Sequence, residues 1–298
     1  MTTAILQETL DILRSELGHE IESFWIERAV VGLFFTGVKL TTGQAGSCAT
    51  PIKEIPDAVC CPSSAMSMPF PGKLSGRPAL RTAEEAVSQT GIRRALGIAA
   101  LNALAQVVAD RRQASGRALG YDLIEGVDAF DVAEVAPEDT AVVVGAFVPF
   151  LRALRDLGAR HWVLEKDPST LKPVEMAHFR PAGDFPLVVP EADVLLVTGT
   201  TLINDTLDGL LAAARPGARI VIVGPTVTMI PDAFLARGCS ILGGVRITDP
   251  DAFLDMLAEG GSGYHFFGKS AQKIVLRRKL PDRDARTGSE RWRPARVF

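Results

Sequence analysis

The second half of the chain alternates short apolar runs with amphipathic segments, and this alternation constrains the fold more than any other sequence feature. The runs lack polar alternation, which is the pattern of strands that are buried on both faces of a sheet. Five strands are predicted, at 141–144, 161–164, 193–197, 219–223 and 239–242. Helices are predicted between them, at 149–157, 203–214, 232–237 and 249–259. This alternation predicts an α/β fold with a Rossmann-like, doubly wound parallel sheet.

The most informative of these units reads DVLLVTGTTLINDTLD, from Asp193 to Asp208. Its strand would deliver Thr198, Gly199, Thr200, Thr201 and Asn204 to the carboxyl edge of the sheet, at the start of the predicted helix. In open α/β sheets this edge binds ligands, because hydroxyls, amides and helix N-termini converge there on anionic or polar groups. We therefore predict a ligand site at this loop. The alternative is that these residues only cap the helix, since Thr and Asn are preferred caps.

The turn after another predicted strand reaches the same edge and carries few bulky side chains. Gly224, Pro225 and Thr226 follow the strand at 219–223. We predict that they line one crevice with the loop that holds Thr200. Simple turn chemistry, which Gly and Pro always permit, is the alternative interpretation.

The turn after the first of these strands carries half of a dinucleotide-binding fingerprint. It reads VVVGAFVPFL, and Glu165 ends the next strand, 20 residues after Gly145. Phe147 and Phe150 stand where the second and third glycines would let the backbone approach the pyrophosphate and the helix pack on the strand. We therefore predict that neither NAD nor FAD binds in the usual pose. Gly145, Phe147 and Glu165 remain predicted ligand-binding residues, because they lie at the same edge.

The first 120 residues predict a smaller α+β domain. Leucines at three- and four-residue spacings predict a helix that ends at Gly18. Residues 28–40 are rich in β-branched and aromatic side chains and, with a turn at 41–43, predict an antiparallel hairpin. Residues 92–108 are apolar on nearly all sides, which predicts a helix packed among several neighbours.

The division into domains follows from these patterns and from a typical domain size of roughly 100–200 residues. We predict an α+β domain at 1–120, the Rossmann-like domain at 121–268, and a basic C-terminal extension at 269–298. Acidic residues at every third position from 122 to 134 predict a solvated helix face. Residues 166–189, which are rich in Pro and Gly, predict a lid or interdomain loop.

The cysteines offer a candidate metal site. Cys48 and the Cys60–Cys61 pair could supply soft ligands to a transition metal, with His265 or His178 brought in by the fold. The spacing matches no closed zinc site, and isolated cysteines also behave as small buried hydrophobes, so both interpretations stay open.

Composition and motifs restrict the class of protein. No apolar run approaches the ~20 residues that cross a bilayer, and Glu8, Asp11 and Glu16 replace a basic leader, so a cytoplasmic protein without a membrane partner is predicted. Metalloprotease, serine-hydrolase and P-loop motifs are absent from the sequence. The Arg-rich segment 277–298 leaves a nucleic-acid or protein partner as the least favoured class, and a homo-oligomer stays open.

The order of several motifs resembles a known family. They are VVGLFFTGV, RRALGIAALNAL, VVVGAFVPF, VLEKDP, Gly183-Asp184, TGTTLINDTLD, IVGPTV and GGVRITDPD. Together they resemble the bacterial and archaeal proteins called putative heavy-metal chelation proteins, up to about residue 268, and TGTTLIN is the most specific match. The resemblance implies an enolase N-terminal-like domain before a Rossmann-like domain, a ligand site between them, and the handling of a metal or a metal chelator.

The sequence therefore predicts a two-domain protein that binds a small polar or anionic molecule, such as a metal ion, a metal complex or a metallophore precursor, in the interdomain cleft. An enzyme acting on that molecule is the close alternative. Catalysis would need a proton carrier near the Thr200 loop, and Glu165, His178 and His265 are the candidates.

Overall fold

The N-terminal part of the chain forms a small antiparallel sheet covered by helices. The computed structural model describes residues 4–54, 70–116 and 118–279. The helices are α1 (Ala4–Leu17), α2 (Ala79–Ala83), α3 (Glu85–Ser88) and α4 (Gly91–Ala114). The strands are β1 (Ile26–Val31), β2 (Phe35–Leu40) and β3 (Ala45–Ala49), in the order β1-β2-β3. The smaller α+β part thus precedes the large sheet, as predicted.

The predicted antiparallel hairpin with its turn at 41–43 is formed by β2 and β3, but residues 32–34 divide the segment 28–40 into two strands, β1 and β2. The Gly32 N–H donates to the Phe35 carbonyl at 3.0 Å, which closes a turn. A Cβ at Gly32 would lie 2.4 Å from the carbonyl oxygen of Leu257, so a residue with a side chain would collide with the backbone there. The predicted turn at 41–43 therefore leads to a third strand rather than a second.

The remainder forms an eight-stranded sheet in the order β4-β11-β10-β9-β8-β5-β6-β7. Its strands are β4 (Tyr121–Glu125), β5 (Thr140–Val144), β6 (Arg160–Glu165), β7 (Phe179–Pro181), β8 (Val194–Thr198), β9 (Arg219–Val223), β10 (Ile241–Ile247) and β11 (Ala271–Arg278). Its helices are α5 (Ala129–Ala133), α6 (Val148–Leu157), α7 (Phe185–Val188), α8 (Leu207–Ala213), α9 (Asp232–Ala236), α10 (Pro250–Ala258) and α11 (Gly263–Phe266). The run from β7 to β10 is parallel, which confirms the predicted α/β fold with a doubly wound sheet.

The edge beyond β10 differs from the prediction. Residues 122–125, predicted to lie on a helix, belong to strand β4, which pairs antiparallel with β11. The acidic side chains of β4 pair with basic side chains of other strands in the sheet. One example is Asp122, which lies 3.4 Å from Arg277 of β11. Strand β11 also lies beyond residue 268, where the sequence pattern placed the end of the second domain. The large sheet therefore extends into the predicted C-terminal extension.

Helix α4 joins the two sheets. Strand β3 approaches it so closely that a Cβ at Gly46 would lie 2.3 Å from the Ala103 nitrogen. By length and composition α4 is apolar enough to cross a membrane, contrary to the expectation from the sequence, but 78% of its apolar stretch is buried inside the protein. It is thus the core helix predicted at 92–108, and one hydrophobic core runs from α1 through α4 to the large sheet.

Candidate functional site

The candidate site lies where the chain stops adding strands on one side of β5 and begins to add them on the other side. From β5 the chain builds outward through β6 and β7, and it then returns to place β8 against the other side of β5. The turns that follow β5 and β8 diverge at this point, which is where open α/β sheets bind ligands. Gly145, with φ of 101°, begins the first turn, and a Cβ there would lie 3.0 Å from Thr198 at the end of β8. The two turns are therefore in contact.

A cavity of about 140 Å³ opens between these turns, and we call it the polar pocket. It contains five residues that the sequence pattern predicted as ligand-binding: Gly145, Glu165, Thr200, Thr201 and Asn204. Four polar or aromatic residues outside the predicted ligand-binding set also line it, namely Lys166, Phe185, Thr198 and Thr206. Thr198 lies in the loop that was predicted to reach this edge, and Lys166 directly follows the predicted residue Glu165.

The loop after β8 does not form the predicted helix start. Residues Gly199–Leu202 make a short 3-10 turn, and α8 begins only at Leu207. Asp205 has φ of 58°, which interrupts the helix predicted from residue 203. Arg94, buried on α4, pairs with the Asp205 carboxylate at 2.8 Å and donates to the Ile203 carbonyl at 3.0 Å. The predicted helix therefore does not begin at this loop, and α8 starts five residues after its 3-10 turn ends at Leu202.

Hydroxyl groups within the loop are organised by the loop itself. The Thr201 hydroxyl donates to the Thr198 carbonyl at 2.7 Å, and Thr201 is buried. The Thr198 hydroxyl accepts from the Thr200 N–H at 3.3 Å and lies 3.1 Å from the Thr200 hydroxyl. Thr200 is half-buried and lines the cavity wall. Thr201 thus supports the loop, while Thr198 and Thr200 present hydroxyls to the pocket.

Asn204 and Lys166 bring a positive charge to the same cavity. Oriented to satisfy its neighbours, the Asn204 amide donates to the Thr206 hydroxyl at 2.6 Å and to the Thr201 carbonyl at 3.2 Å. Its oxygen then accepts from the Lys166 ammonium at 3.2 Å. The lysine follows β6 and the asparagine follows β8, so this contact bridges the two sides of the switch point.

Glu165 and Asp167 connect the polar pocket to the N-terminal part of the chain. The Glu165 carboxylate accepts from the backbone N–H groups of Lys166 and Asp167, at 2.8 and 3.1 Å. Asp167 forms an ion pair with Lys53, from the short turn that follows β3. The hydrogen bond from Lys53, followed by those from Ser169, lowers the pKa of Asp167 to about 2.

A second cavity, of about 710 Å³, lies between the two sheets, and we call it the apolar cleft. The N-terminal sheet contributes Phe34, Phe35 and Ala49. The large sheet and its loops contribute four residues that the sequence pattern predicted as ligand-binding, namely Phe147, Gly224, Pro225 and Thr226, together with Pro149, Tyr264 and Phe267. Thr198 and Thr200 line both cavities. All nine predicted ligand-binding residues thus line one cavity or the other.

Thr226 also fastens the two sheets together. It is 1% exposed, and its hydroxyl accepts from the Ala49 N–H at 3.1 Å. The Asn102 amide of α4 donates to the Ser47 carbonyl at 2.7 Å and to the Thr226 carbonyl at 3.0 Å. We call Ser47, Asn102 and Thr226 the buried staple. In the turn after β9, the hydroxyl and the carbonyl of Thr226 are therefore used in hydrogen bonds within the protein.

The predicted metal ligands are not assembled in the part of the chain that the structure describes. Cys48 is fully buried and hydrogen-bonds to Thr226, and burial raises the pKa of its thiol well above the ordinary value. His265 is exposed, and its Nδ1 accepts from the Ser262 N–H at 3.0 Å. Cys60 and Cys61 lie outside the described residues. No group of three or more His, Cys, Asp or Glu among the described residues could hold a metal ion, and metal binding stays a prediction.

His178, a candidate proton carrier, lines neither cavity. Its ring stacks on His161 with centroids 3.9 Å apart, and its Nδ1 lies 3.2 Å from the His161 carbonyl. Burial lowers the pKa of His161, and a hydrogen bond to the Ala159 carbonyl opposes that shift. Of the three predicted proton carriers, Glu165 is the one that reaches the polar pocket.

Known proteins share both parts of this architecture. Two family models, DUF364 over residues 128–276 (half of the chain) and DUF4213 over 14–105, are both described as putative heavy-metal chelation. An uncharacterized protein of Methanocaldococcus jannaschii is 31% identical over 184 residues, covering 60% of this chain and 64% of that relative, which is less than two thirds of its length.

Two solved structures of DUF364 proteins of unknown function share the fold. The one from Pyrococcus horikoshii has a TM-score of 0.71 at 20% identity, over 92% of this chain and 99% of its own. The one from Desulfitobacterium hafniense DCB-2 has a TM-score of 0.65 at 18% identity, over 91% and 99%. With one family model matching half of its length and a second matching most of the N-terminal part, the chain belongs to the putative heavy-metal chelation family.

Proposed function

We propose that the protein binds a small anionic molecule at the switch point, and that this molecule is a metal complex or the organic chelator that forms it. The observation that carries the proposal is the convergence of Thr198, Thr200, Asn204 and Lys166 on one cavity at the carboxyl ends of β5, β6 and β8. The Lys166 ammonium, which has three N–H groups, and whichever of the Thr198 and Thr200 hydroxyls does not donate to the other supply donors for carboxylate or phosphate oxygens. An acceptor-rich ligand matches this set of donors.

The charges favour a chelator over a bare metal ion. The Lys166 ammonium repels a free cation and attracts carboxylates, and the Glu165 carboxylate already accepts two backbone N–H groups. The family description supports heavy-metal chelation as the context. In this proposal the metal arrives with its own ligands, and the protein binds the anionic groups of the complex. We place this binding in the cytoplasm, without a membrane or nucleic-acid partner.

An enzyme acting on the same molecule is the second candidate, and the position of Glu165 favours it. A carboxylate that lines the pocket could take a proton from a bound substrate. Binding and catalysis separate in the variant Glu165→Gln. A binding protein keeps its function without this carboxylate, whereas an enzyme that uses it retains affinity and loses turnover, which mass spectrometry of the incubated ligand would detect.

Calorimetry with citrate and with its Ni(II) complex tests the proposal. We expect Lys166→Gln and Thr200→Val to weaken binding of the complex about tenfold each, because each removes a donor to a charged group. The matched control is Lys73→Gln, which removes an exposed lysine that lines neither cavity. Equal affinities for the parent protein, Lys166→Gln and Lys73→Gln would contradict the proposal.

A further inference from the structure

The apolar cleft has the size and lining of a small-molecule site. Its volume of about 710 Å³ lies within the roughly 300–1,000 Å³ that is usual for such sites. Aromatic side chains line it from both sheets, namely Phe34, Phe35, Phe147, Tyr264 and Phe267. Phe34 is 46% exposed and Tyr264 is 92% exposed. Covering these rings with an apolar ligand would remove their surface from water, which is favourable.

The electrostatic character of the cleft contrasts with that of the polar pocket. Among the described residues that line the cleft, Lys273 is the charged one. Its ammonium pairs with Asp128 at 2.6 Å and lies 5.7 Å from the Phe267 ring centroid. The paired charge is thus already compensated. In the polar pocket the ammonium of Lys166 contacts an amide oxygen, which leaves its charge to attract an anion.

The two cavities meet at one wall. Thr198 and Thr200 line both, so a molecule seated in the cleft lies beside the donors of the polar pocket. The polar pocket, at about 140 Å³, is smaller than a usual small-molecule site but accommodates a single carboxylate, phosphate or sulfonate group. The two cavities are therefore complementary. The polar pocket binds a negatively charged group, and the apolar cleft provides the volume and the apolar surface.

We infer that the ligand is amphiphilic, with an anionic head in the polar pocket and an uncharged apolar body in the apolar cleft. This inference rests on the proposed function, because the anionic head is the part that the polar pocket binds. It adds the substrate class: an organic anion with a large apolar group, for which citrate is a probe of the anionic head alone. The aromatic rings provide the contact surface for the body, and Thr198 and Thr200 adjoin its junction with the head.

Three probes separate the head from the body. The first is 1-anilinonaphthalene-8-sulfonate, which joins an aromatic body to a sulfonate and fluoresces when its rings leave water. The second is N-phenyl-1-naphthylamine, which has the same body without the sulfonate. The third is inorganic sulfate, the head alone. We expect one saturable site for the first probe, with affinity about tenfold or more above that of either part.

Two variants assign the probe to the two cavities. Lys166→Gln is expected to weaken the sulfonate probe about tenfold and to leave N-phenyl-1-naphthylamine unchanged. Tyr264→Ser is expected to weaken both aromatic probes about three- to tenfold, while sulfate binding stays the same. Tyr264 is so exposed that this change spares the fold. The matched control is Val174→Ser, which alters an exposed apolar residue that lines neither cavity.

The outcomes distinguish failure of the inference from failure of the proposed function. If sulfate binds in a Lys166-dependent way but the sulfonate probe is no tighter than sulfate, the inference is overturned and the proposed function stands. If neither sulfate nor citrate binds while both aromatic probes bind equally, both fail. If sedimentation shows a dimer that Tyr264→Ser dissociates, a second copy of the chain covers the cleft, and the inference is again overturned.

Discussion

The turns after β8 and β9 carry similar residues to the same edge of the sheet, yet they serve different purposes. After β9, Thr226 is 1% exposed, and its hydroxyl and carbonyl are both bonded to the N-terminal part, through Ala49 and Asn102. After β8, Thr200 is half-buried and lines both cavities. Thr226 also lines the apolar cleft, so what separates the two threonines is that the polar groups of Thr226 are bonded to another element, whereas Thr200 lines the polar pocket.

The largest expected effect is on the buried staple. Asn102→Leu removes the donor from two carbonyls, those of Ser47 and Thr226, in a buried position. Since an unsatisfied buried carbonyl costs about 1–3 kcal/mol, we expect a loss of about 3 kcal/mol in the free energy of unfolding. Urea denaturation measures it. The matched change Asn204→Leu, at the half-buried position on the β8 turn, should cost clearly less, and equal losses of stability would contradict the structural role assigned to the β9 turn.

The two threonines should respond in opposite ways to the same substitution. Thr226→Val leaves the Ala49 N–H without its acceptor, so about 1–2 kcal/mol of stability is lost while citrate binding is retained. Thr200→Val removes a hydroxyl from the pocket wall, so the affinity for the Ni(II)–citrate complex falls while the free energy of unfolding changes by less than about 0.5 kcal/mol. Calorimetry and denaturation of both variants would show whether this crossed pattern holds.

Within the β8 turn, Thr201 should behave as a structural residue. Its hydroxyl donates to the Thr198 carbonyl, so Thr201→Ala is expected to lose about 1 kcal/mol of stability with ligand affinity unchanged. Two adjacent threonines would then differ in role, with Thr200 in ligand binding and Thr201 in support of the loop. Thr201→Ser, which keeps the hydroxyl, is the control. A loss of affinity at unchanged stability would place Thr201 in the site instead.

A smaller effect is expected on the pH dependence of the free energy of unfolding, which arises near β6 and β7 and not at the buried staple. The buried staple has no titratable side chain, whereas His161 and His178 stack beside β6 and β7. Burial lowers the pKa of His161 in the folded protein, so the unfolded chain takes up the proton first. Stability from this group is present above the ordinary imidazole pKa of about 6.5 and is lost as the pH falls below it.

Urea denaturation at pH 7, 6 and 5 measures this dependence. We expect the free energy of unfolding to fall toward pH 5, and His161→Phe to reduce the slope. Groups that face His161 and can modify the effect are His178, Arg155 and Glu175. Asn102→Leu should keep the slope of the parent protein, since it alters no titratable group. An unchanged slope in His161→Phe would show that the imidazole does not couple to folding.

Much of the parallel sheet could be predicted from the sequence, because its central strands are buried on both faces. Strands β5, β8 and β9 contain continuous apolar runs of about five residues, which is the length of a buried strand and too short for a typical buried helix. Strand β4 could not be recognised, because it is an edge strand with one exposed face whose acidic residues also fit a helix. Its partner β11 lies about 150 residues later, so their pairing depends on contacts that no local pattern records.

Local sequence patterns identify which residues reach the carboxyl edge of the sheet, because in parallel strands the order of apolar run and polar turn fixes that edge. Gly145, Glu165, Thr200 and Asn204 were identified in this way, and the structure brings them into one pocket. Only the packing of the two sheets fixes that the turn after β9 is hydrogen-bonded to β3 while the turn after β8 lines the polar pocket. It also placed Phe34, more than 100 residues away in the chain, opposite Phe147 across the cleft. The packing of two sheets around α4 depends on long-range burial, and local sequence periodicity does not encode the partner that a surface will meet.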